Sequence, residues 1–383
     1  MLLYLGWFFA SVVICYTTLL FKRKHQMFVA TIYLMALAIF VGISDMLGGY
    51  DRYIYGEVFD YMANVRSEGG NPFLSEAFQY FQSEFGYGTF NVLITFITSN
   101  RYIFILILTL IVYTLIIVSI RRYVDNAPFA VIMFMGLWFF FTFTYLRQVL
   151  GASIAWLAYR YIIDRDIKRF LLVWFIAYSF HNSAWIVLPI YFLPVKKFER
   201  KHILMVMFIA FVIGLTPFPQ ALFSAYQEID NIRGHDSYSM DAGFRWAYLV
   251  EALFFLYVIL LNYDGISETK EHIVMLNVAL ILCAILLIFI RSENGGRLGW
   301  YFLIGIMCTM SNLCVKNQKE IRSVGILLIF VCLFLYIRVY VGWQQYMNLY
   351  PYKTFLTNGH RMGDPVYEQY EYDFYYDEDK FYR

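Results

Sequence analysis

The chain contains a succession of apolar runs, most of them close to the ~20 residues that an α-helix needs to cross a bilayer. The runs fall at 2–21, 27–45, 102–120, 127–145, 203–218, 244–261, 273–290, 298–315 and 323–341, with a slightly short one at 148–163. Hydrophobic residues make up 61% of the chain and charged residues only 15%, which excludes an ordinary soluble globular protein. The pattern predicts an all-α, polytopic membrane protein with about 10 transmembrane helices.

No internal repeat and no Pro/Gly/Ser-rich linker divides the apolar part of the chain. We therefore expect one membrane domain over 1–341, followed by an acidic, Tyr-rich tail at 342–383. Lys and Arg concentrate in cytoplasmic loops, so the basic clusters predict the orientation. These clusters are Lys22–Lys24, Arg121–Arg122, Arg165–Arg169, Lys196–Lys201 and Lys316–Arg322. With all of them inside, the loops 46–84, 218–243 and 291–297 and the tail lie outside.

Two apolar segments do not fit a simple alternation of spans. The segment 85–99 must not cross if Arg121 is inside, which predicts a re-entrant or interfacial helix. The segment 170–195 has basic residues at both ends, which predicts a broken helical hairpin with its tip at His181. One straight span with Lys196 outside is the alternative.

Ionisable residues at membrane depth are costly and usually mark a functional site. Arg147 follows one apolar run, and its planar guanidinium suits a phosphate group. The same residue could instead be a snorkelling charge or an ion-pair partner of Asp51 or Glu84. His181 interrupts another run and suits a general base or a phosphate-binding imidazolium. It could also be a neutral histidine that satisfies the helix break.

Other polar residues on the predicted outer side complete a candidate substrate-binding set: Asp51, Tyr55, Glu84, Gln148, Ser183, Arg291 and Arg297. The five cysteines lie in apolar stretches without metal-ligand spacing, and no nucleotide-binding glycine motif is present. The sequence therefore predicts no metal, no cofactor and no nucleic-acid partner.

Five short motifs, in order along the chain, resemble those of the EpsG-type branch of bacterial Wzy-like polysaccharide polymerases. Gly49 to Tyr55 resembles G-x-D-x-x-x-Y, and Glu84 to Tyr87 resembles E-P-x-F. Arg147 and Gln148 resemble the start of R-Q-x-x-A, Phe180 to Ala184 resembles F-H-x-S-A, and Pro351 to Phe355 resembles P-Y-[KR]-x-F. Phe85 replaces the family's proline, and Val41–Asp45 lacks the arginine that usually precedes the first motif. Arg291 or Arg297 could take the place of that arginine.

The resemblance implies a metal-independent, glycosyltransferase-type polymerase in the bacterial plasma membrane, with its active site facing the periplasm or cell exterior. Such proteins join oligosaccharide repeat units carried on undecaprenyl pyrophosphate, for capsule, exopolysaccharide or O-antigen. Expected partners are these lipid-linked substrates, membrane lipids, and a chain-length regulator or other polysaccharide-assembly proteins. Two other classes stay open from the residues: a flippase for lipid-linked oligosaccharides, and a membrane acyltransferase acting on polysaccharide.

Overall fold

The computed structural model describes residues 1–221, 243–316, 320–344 and 349–356, and their regular structure is almost entirely helical. We label the α-helices α1 to α15 in chain order: Leu2–Thr18, Arg23–Gly42, Tyr50–Ser67, Glu76–Gln79, Phe85–Thr95, Arg101–Tyr123, Ala127–Leu137, Phe141–Thr144, Leu146–Ile163, Ile167–Phe180, Arg200–Leu215, Trp246–Leu261, Lys270–Ile288, Leu303–Cys314 and Ser323–Gln344. 3₁₀ helices span Pro72–Leu74, Gln82–Glu84, Asn182–Phe192, Tyr263–Gly265 and Gly295–Phe302. The short strands β1 (Val315–Lys316) and β2 (Glu320–Ile321) pair antiparallel.

The predicted all-α class is confirmed, and the protein is membrane-embedded in character. Among the described residues, four helices are long and apolar enough to cross a bilayer: α2, α6, α13 and α15. Several shorter apolar helices accompany them, so the number of spans stays a prediction. Most of the predicted outer loop 218–243 and most of the tail 342–383 lie outside the described residues.

Two runs predicted as single spans are interrupted. The run 127–145 consists of α7, a turn at 138–140 and the short helix α8. The run 298–315 begins in the 3₁₀ helix Gly295–Phe302 and continues as α14. Apolar residues continue through both interruptions, including Trp138 and Phe139, which are buried. Hydropathy along the sequence therefore cannot reveal where the helix geometry changes.

The segment 170–195 forms the predicted broken hairpin. Helix α10 ends at Phe180, His181 is extended (φ −153°, ψ 118°), and a 3₁₀ helix, not a second α-helix, runs back from Asn182 to Phe192. The two ends of the hairpin are adjacent, because Arg165 Nη1 donates to the carbonyl of Tyr191 at 2.9 Å. The Phe170 and Tyr191 rings also pack there, with centroids 4.9 Å apart. A straight helix would separate these residues by most of its length.

Helix α5, which covers most of the predicted re-entrant segment 85–99, has 11 residues. At 1.5 Å per residue such a helix is roughly 16 Å long, which is too short to cross a bilayer core of about 30 Å. It packs beside α3 and α10, and its Phe85 ring lies 5.9 Å from that of Phe175 on α10.

The turn between α2 and α3 is fixed by a buried arginine and a glycine. Arg52 is fully buried and donates to the carbonyls of Val41, Ser44 and Phe143. Gly48 has φ +120°, and a Cβ there would lie 2.5 Å from the Phe143 carbonyl oxygen. Both the backbone conformation and the space therefore require glycine.

The segment 349–356 packs back against this turn. The backbone N–H of Asp45 donates to the Lys353 carbonyl at 2.9 Å, and the N–H of Phe355 donates to the Ile43 carbonyl at 3.1 Å. Lys353 Nζ lies 3.2 Å from a carboxylate oxygen of Asp45, which is only 3% exposed. The Tyr352 ring stacks on Phe40 at 4.4 Å. The late segment thus packs on the end of α2 and on the turn that precedes α3.

The opposite end of the helices carries the basic loops, and a charge cluster joins three of its elements. Asp125, between α6 and α7, lies 3.2 Å from His272 on α13 and 3.5 Å from Arg23 on α2. The hydrogen bond from His272 holds the pKa of Asp125 below its ordinary value. We call this the basic end, and the end that contains Gly48, Arg147 and His181 the site end.

Candidate functional site

Arg147 and Glu84 form an ion pair at the site end, although 63 residues separate them in sequence. Arg147 lies in the first turn of α9, and Glu84 lies immediately before α5. Arg147 Nη1 donates to Glu84 Oε2 at 2.5 Å, and the two side chains are 16% and 1% exposed. Such a pair is stable only while both partners are present, because each charge alone would be desolvated without compensation.

Three aromatic rings surround the Arg147 guanidinium. Its Cζ atom lies 5.3 Å from the centroid of Tyr55, 5.4 Å from Phe81 and 5.9 Å from Tyr87. The ring faces attract the cation and exclude water from it. Burial raises the pKa of Tyr55 to about 12, with Arg147 partly opposing the rise, so its hydroxyl is protonated at neutral pH.

Glu84 also connects Arg147 to the break in the hairpin. Its Oε1 accepts the backbone N–H of Asn182 at 3.2 Å and lies 3.9 Å from His181 Nδ1. One carboxylate therefore contacts a guanidinium, a helix break and an imidazole. Those groups come from α9 and from the break after α10, so Glu84 fixes the relative positions of these two segments.

The His181 ring is held by a hydrogen-bond network. Its Nδ1 accepts the backbone N–H of Ser183 at 3.3 Å and lies 2.7 Å from Ser183 Oγ. That hydroxyl also lies 2.9 Å from the Tyr301 hydroxyl and 3.4 Å from Gln148 Nε2. Because Nδ1 accepts from an N–H group, the neutral ring carries its proton on Nε2. In this tautomer Nε2 is a donor, and a proton can be accepted only at Nδ1.

Two glycines let the helices that carry this cluster approach closely. A Cβ at Gly86 would overlap Ser179 Oγ and lie 2.9 Å from Ser179 Cβ on α10. A Cβ at Gly151 would lie 3.0 Å from His181 Cβ. Because these two positions have no side chain, α5 and α9 can pack against the end of α10, where Glu84, Arg147 and His181 meet.

A cavity of about 410 Å³ lies next to this cluster and is lined by residues from six α-helices and from the segment 293–300. Tyr145, two residues before Arg147, is part of its wall. Arg297 lines the cavity, with its guanidinium 4.3 Å from the Tyr145 ring centroid. Its backbone carbonyl accepts from Gln148 at 3.5 Å. Arg245 and Arg338 line the same cavity, together with Glu251, Glu293, Trp300 and Trp343.

The structure brings most of the predicted site residues together. Arg147, Glu84, Tyr55, His181, Ser183 and Gln148 form one connected cluster. Asp51 is half-buried in the first turn of α3, four residues before Tyr55 and within its electrostatic influence. Arg297 lines the adjacent cavity, and Arg291 lies half-buried at the start of the same loop. Of the interpretations offered for Arg147, the structure shows the ion pair. Its partner is Glu84 and not Asp51.

Comparison with known families identifies the chain. A family model described as the EpsG family matches residues 27–354. The chain belongs to the EpsG family. Searches of curated proteins and of solved structures each found no match. The matched region of this EpsG-family protein contains every residue of the cluster and of the cavity.

Sequence reasoning missed several residues of this EpsG-family protein that complete the site. Phe81 and Tyr301 carry no charge and lie among many other aromatic residues, so nothing distinguished them. Tyr87 closes the motif that begins at Glu84, but it was not named as a site residue. Arg338 and Glu251 could have been found, because each is the sole charged residue in its helix, α15 and α12. Within the described part of the chain, no group of three His, Cys, Asp or Glu side chains is arranged to hold a metal ion.

Proposed function

We propose that this EpsG-family protein is a membrane polysaccharide polymerase that joins lipid-linked oligosaccharide repeat units on the outer face of the bacterial plasma membrane. The observation that carries the proposal is the Arg147–Glu84–His181 cluster, which lies at the end of the helices opposite the basic loops. Arginine and histidine at such a position are costly, and a substrate with phosphate and sugar groups accounts for them. The positive-inside bias of the basic loops supports the outer location.

The reaction needs few protein groups, because pyrophosphate is a good leaving group. A hydroxyl oxygen of the acceptor sugar attacks the anomeric carbon of the donor sugar, whose bond to the pyrophosphate oxygen breaks. The lipid pyrophosphate leaves with the electrons of that bond, and the hydroxyl proton passes to a base. Arg147 and His181 are the proposed catalytic residues, and no metal or cofactor takes part in the proposed reaction.

Two groups in the cluster are suited to accept the proton. His181 can accept it at Nδ1 once both the hydroxyl and the backbone N–H of Ser183 have moved away from that atom, and the second candidate is the Glu84 carboxylate. Glu84 becomes available when its ion pair with Arg147 opens. The remaining cluster residues, Asp51, Tyr55, Gln148 and Ser183, offer donors and acceptors for sugar hydroxyls. Arg291 and Arg297 lie where the pyrophosphate of a lipid at this end would be.

Purified protein in lipid, supplied with an undecaprenyl-pyrophosphate-linked repeat unit, provides the test. The wild type should produce a ladder of products on a gel. Arg147→Lys should lose most of the ladder, because lysine keeps the charge but lacks the planar guanidinium that Glu84 and the three rings enclose. His181→Ala should lower the rate by ~10²–10⁴-fold if histidine is the base. His181→Asn should be nearly silent if the ring only satisfies the helix break.

Arg160→Lys is the matched control, since Arg160 lies on the same helix as Arg147, near its other end, and is half exposed. Its ladder should equal that of the wild type. Repeat units that cross the membrane without being joined would contradict the proposal and favour a flippase. Transfer of an acyl group to the repeat unit would favour the acyltransferase class.

A further inference from the structure

The cavity beside the cluster contains charges at an unusual depth. Arg338 lies six residues before the end of α15, and Glu251 lies five residues after the start of α12. At 1.5 Å per residue, both lie roughly 7–9 Å inside their helices. Both line the same cavity, and the rest of each helix is uncharged. Two ionisable residues at this depth, facing one space, mark a binding site by the same physical reasoning that applies to Arg147.

The charge of the cavity favours an anion. Arg245, Arg297 and Arg338 contribute three positive charges, and Glu251 is the half-buried carboxylate among them. Glu293 also lines the cavity, and both Glu293 and Arg338 are exposed, so water screens each of these two charges. The lining thus has three arginines and two glutamates, a net positive charge that suits an anion, and three guanidinium groups are enough to pair with both phosphates of a diphosphate.

Arg147 is less suited to hold this anion. Its guanidinium is already paired with Glu84 and enclosed by three rings. A phosphate could contact it only by weakening a buried ion pair. Arg297 is held differently, because its guanidinium stacks on the Tyr145 ring in the wall of the cavity.

We infer that this cavity binds the diphosphate group of the lipid-linked saccharide, with Arg245, Arg297 and Arg338 pairing with its phosphate oxygens. A volume of about 410 Å³ accommodates a diphosphate and one sugar. Trp300 and Trp343 provide ring faces for that sugar. The identity of the lipid rests on the proposed function, whereas the diphosphate site rests on the cavity. Tyr145 lines the cavity and lies two residues before Arg147, so the leaving group is bound close to Arg147.

The test measures binding to the full-length protein in lipid nanodiscs with three probes: undecaprenyl pyrophosphate, undecaprenyl monophosphate and inorganic pyrophosphate. Undecaprenyl pyrophosphate should bind most tightly. Arg245→Gln and Arg338→Gln should each weaken its binding about tenfold or more, since each removes a charge-assisted hydrogen bond. Arg160→Gln, remote from the cavity, should leave it unchanged.

Glu251→Gln distinguishes a binding site from damage to the fold. It removes a negative charge from the cavity at nearly constant volume, so it should strengthen binding of undecaprenyl pyrophosphate several-fold. Misfolding cannot produce that gain. Unchanged affinity in both Arg338→Gln and Glu251→Gln would overturn the inference.

The three probes separate the sources of the anion. Equal binding of the monophosphate lipid would overturn the diphosphate assignment, and equal binding of inorganic pyrophosphate would overturn the lipid assignment. Measuring polymer formation as well as lipid binding distinguishes a failure of this inference from a failure of the proposed function. A wild type that binds the lipid but forms no polymer contradicts the polymerase, whereas normal binding and polymer in Arg338→Gln contradict the cavity site alone.

Discussion

Replacing Glu84 by glutamine should show that one carboxylate organises the site. Glu84 accepts from Arg147 at 2.5 Å and is 1% exposed, so the change leaves Arg147 without its counter-charge. Removing one partner of a buried ion pair costs about 3–5 kcal/mol. The rings of Tyr55, Phe81 and Tyr87 retain roughly 0.5–2 kcal/mol of stabilisation for the cation. Glutamine also still accepts the Asn182 N–H. We therefore expect Glu84→Gln to lower the free energy of unfolding by about 1–4.5 kcal/mol.

A double-mutant cycle isolates the pair from other effects. Arg147→Met alone should also be destabilising, because it leaves Glu84 charged and buried. Glu84→Gln combined with Arg147→Met should be more stable than the sum of the single losses predicts, by about 2 kcal/mol. The free energies come from SDS-induced unfolding in mixed micelles, followed by tryptophan fluorescence and circular dichroism.

An exposed ion pair serves as the control. Arg160 and Asp164 lie 3.6 Å apart and are 52% and 48% exposed. Asp164→Asn should therefore change the free energy of unfolding by less than about 0.5 kcal/mol. If the Glu84 and Arg147 losses simply add, within about 0.5 kcal/mol, the pair is not coupled and the reasoning is wrong.

Three further predictions test other parts of the structure. Gly86→Ala should lower stability by roughly 1–3 kcal/mol and reduce activity, because its Cβ would overlap Ser179. Gly6→Ala, which meets no heavy atom within 4 Å, should do neither. The folded-state pKa of Asp125 lies below its ordinary value, so its stabilising contribution is present above about pH 4 and is lost as the pH falls through the folded-state pKa. Below about pH 4, the free energy of unfolding should fall less steeply with decreasing pH in Asp125→Asn than in the wild type. Equal slopes would contradict the role assigned to Asp125. Reporter fusions after Arg122 and after Gly342 should lie on opposite sides of the membrane, and agreement between them would show that the predicted topology is wrong.

The sequence predicted the helix break at His181 because two independent signals agreed there. A polar triplet interrupts an apolar run, and basic residues flank both ends of that run. Both signals can be read from neighbouring residues in the sequence, without knowledge of the packing. The interruption at 138–140 has no such signal, since Trp138, Phe139 and Phe140 are as apolar as the helix that precedes them.

The site residues were named from the sequence, but their contacts were not determined by it. Asp51 and Glu84 were equal candidates as partners of Arg147, and only the packing of α5 against α10 selects Glu84. The enclosure of Arg147 by Phe81 and Tyr87 depends on the same packing. Arg52 was missed because a charged residue in a polar stretch is usually solvated, whereas here three backbone carbonyls satisfy it.

The packing of Lys353 against Asp45 bears on how the protein matures. Asp45 leaves the ribosome about 300 residues before Lys353, which at 5–20 residues per second is roughly 15–60 s. During that interval the helices from α3 onward are synthesised while the Asp45 carboxylate lacks its lysine. Tyr4 of the first helix likewise receives Leu349 as its hydrogen-bond acceptor only at this late stage. The turn that precedes α3 therefore gains these contacts only after translation has passed residue 355, so an interrupted chain would hold most of its helices without the segment that packs on this turn.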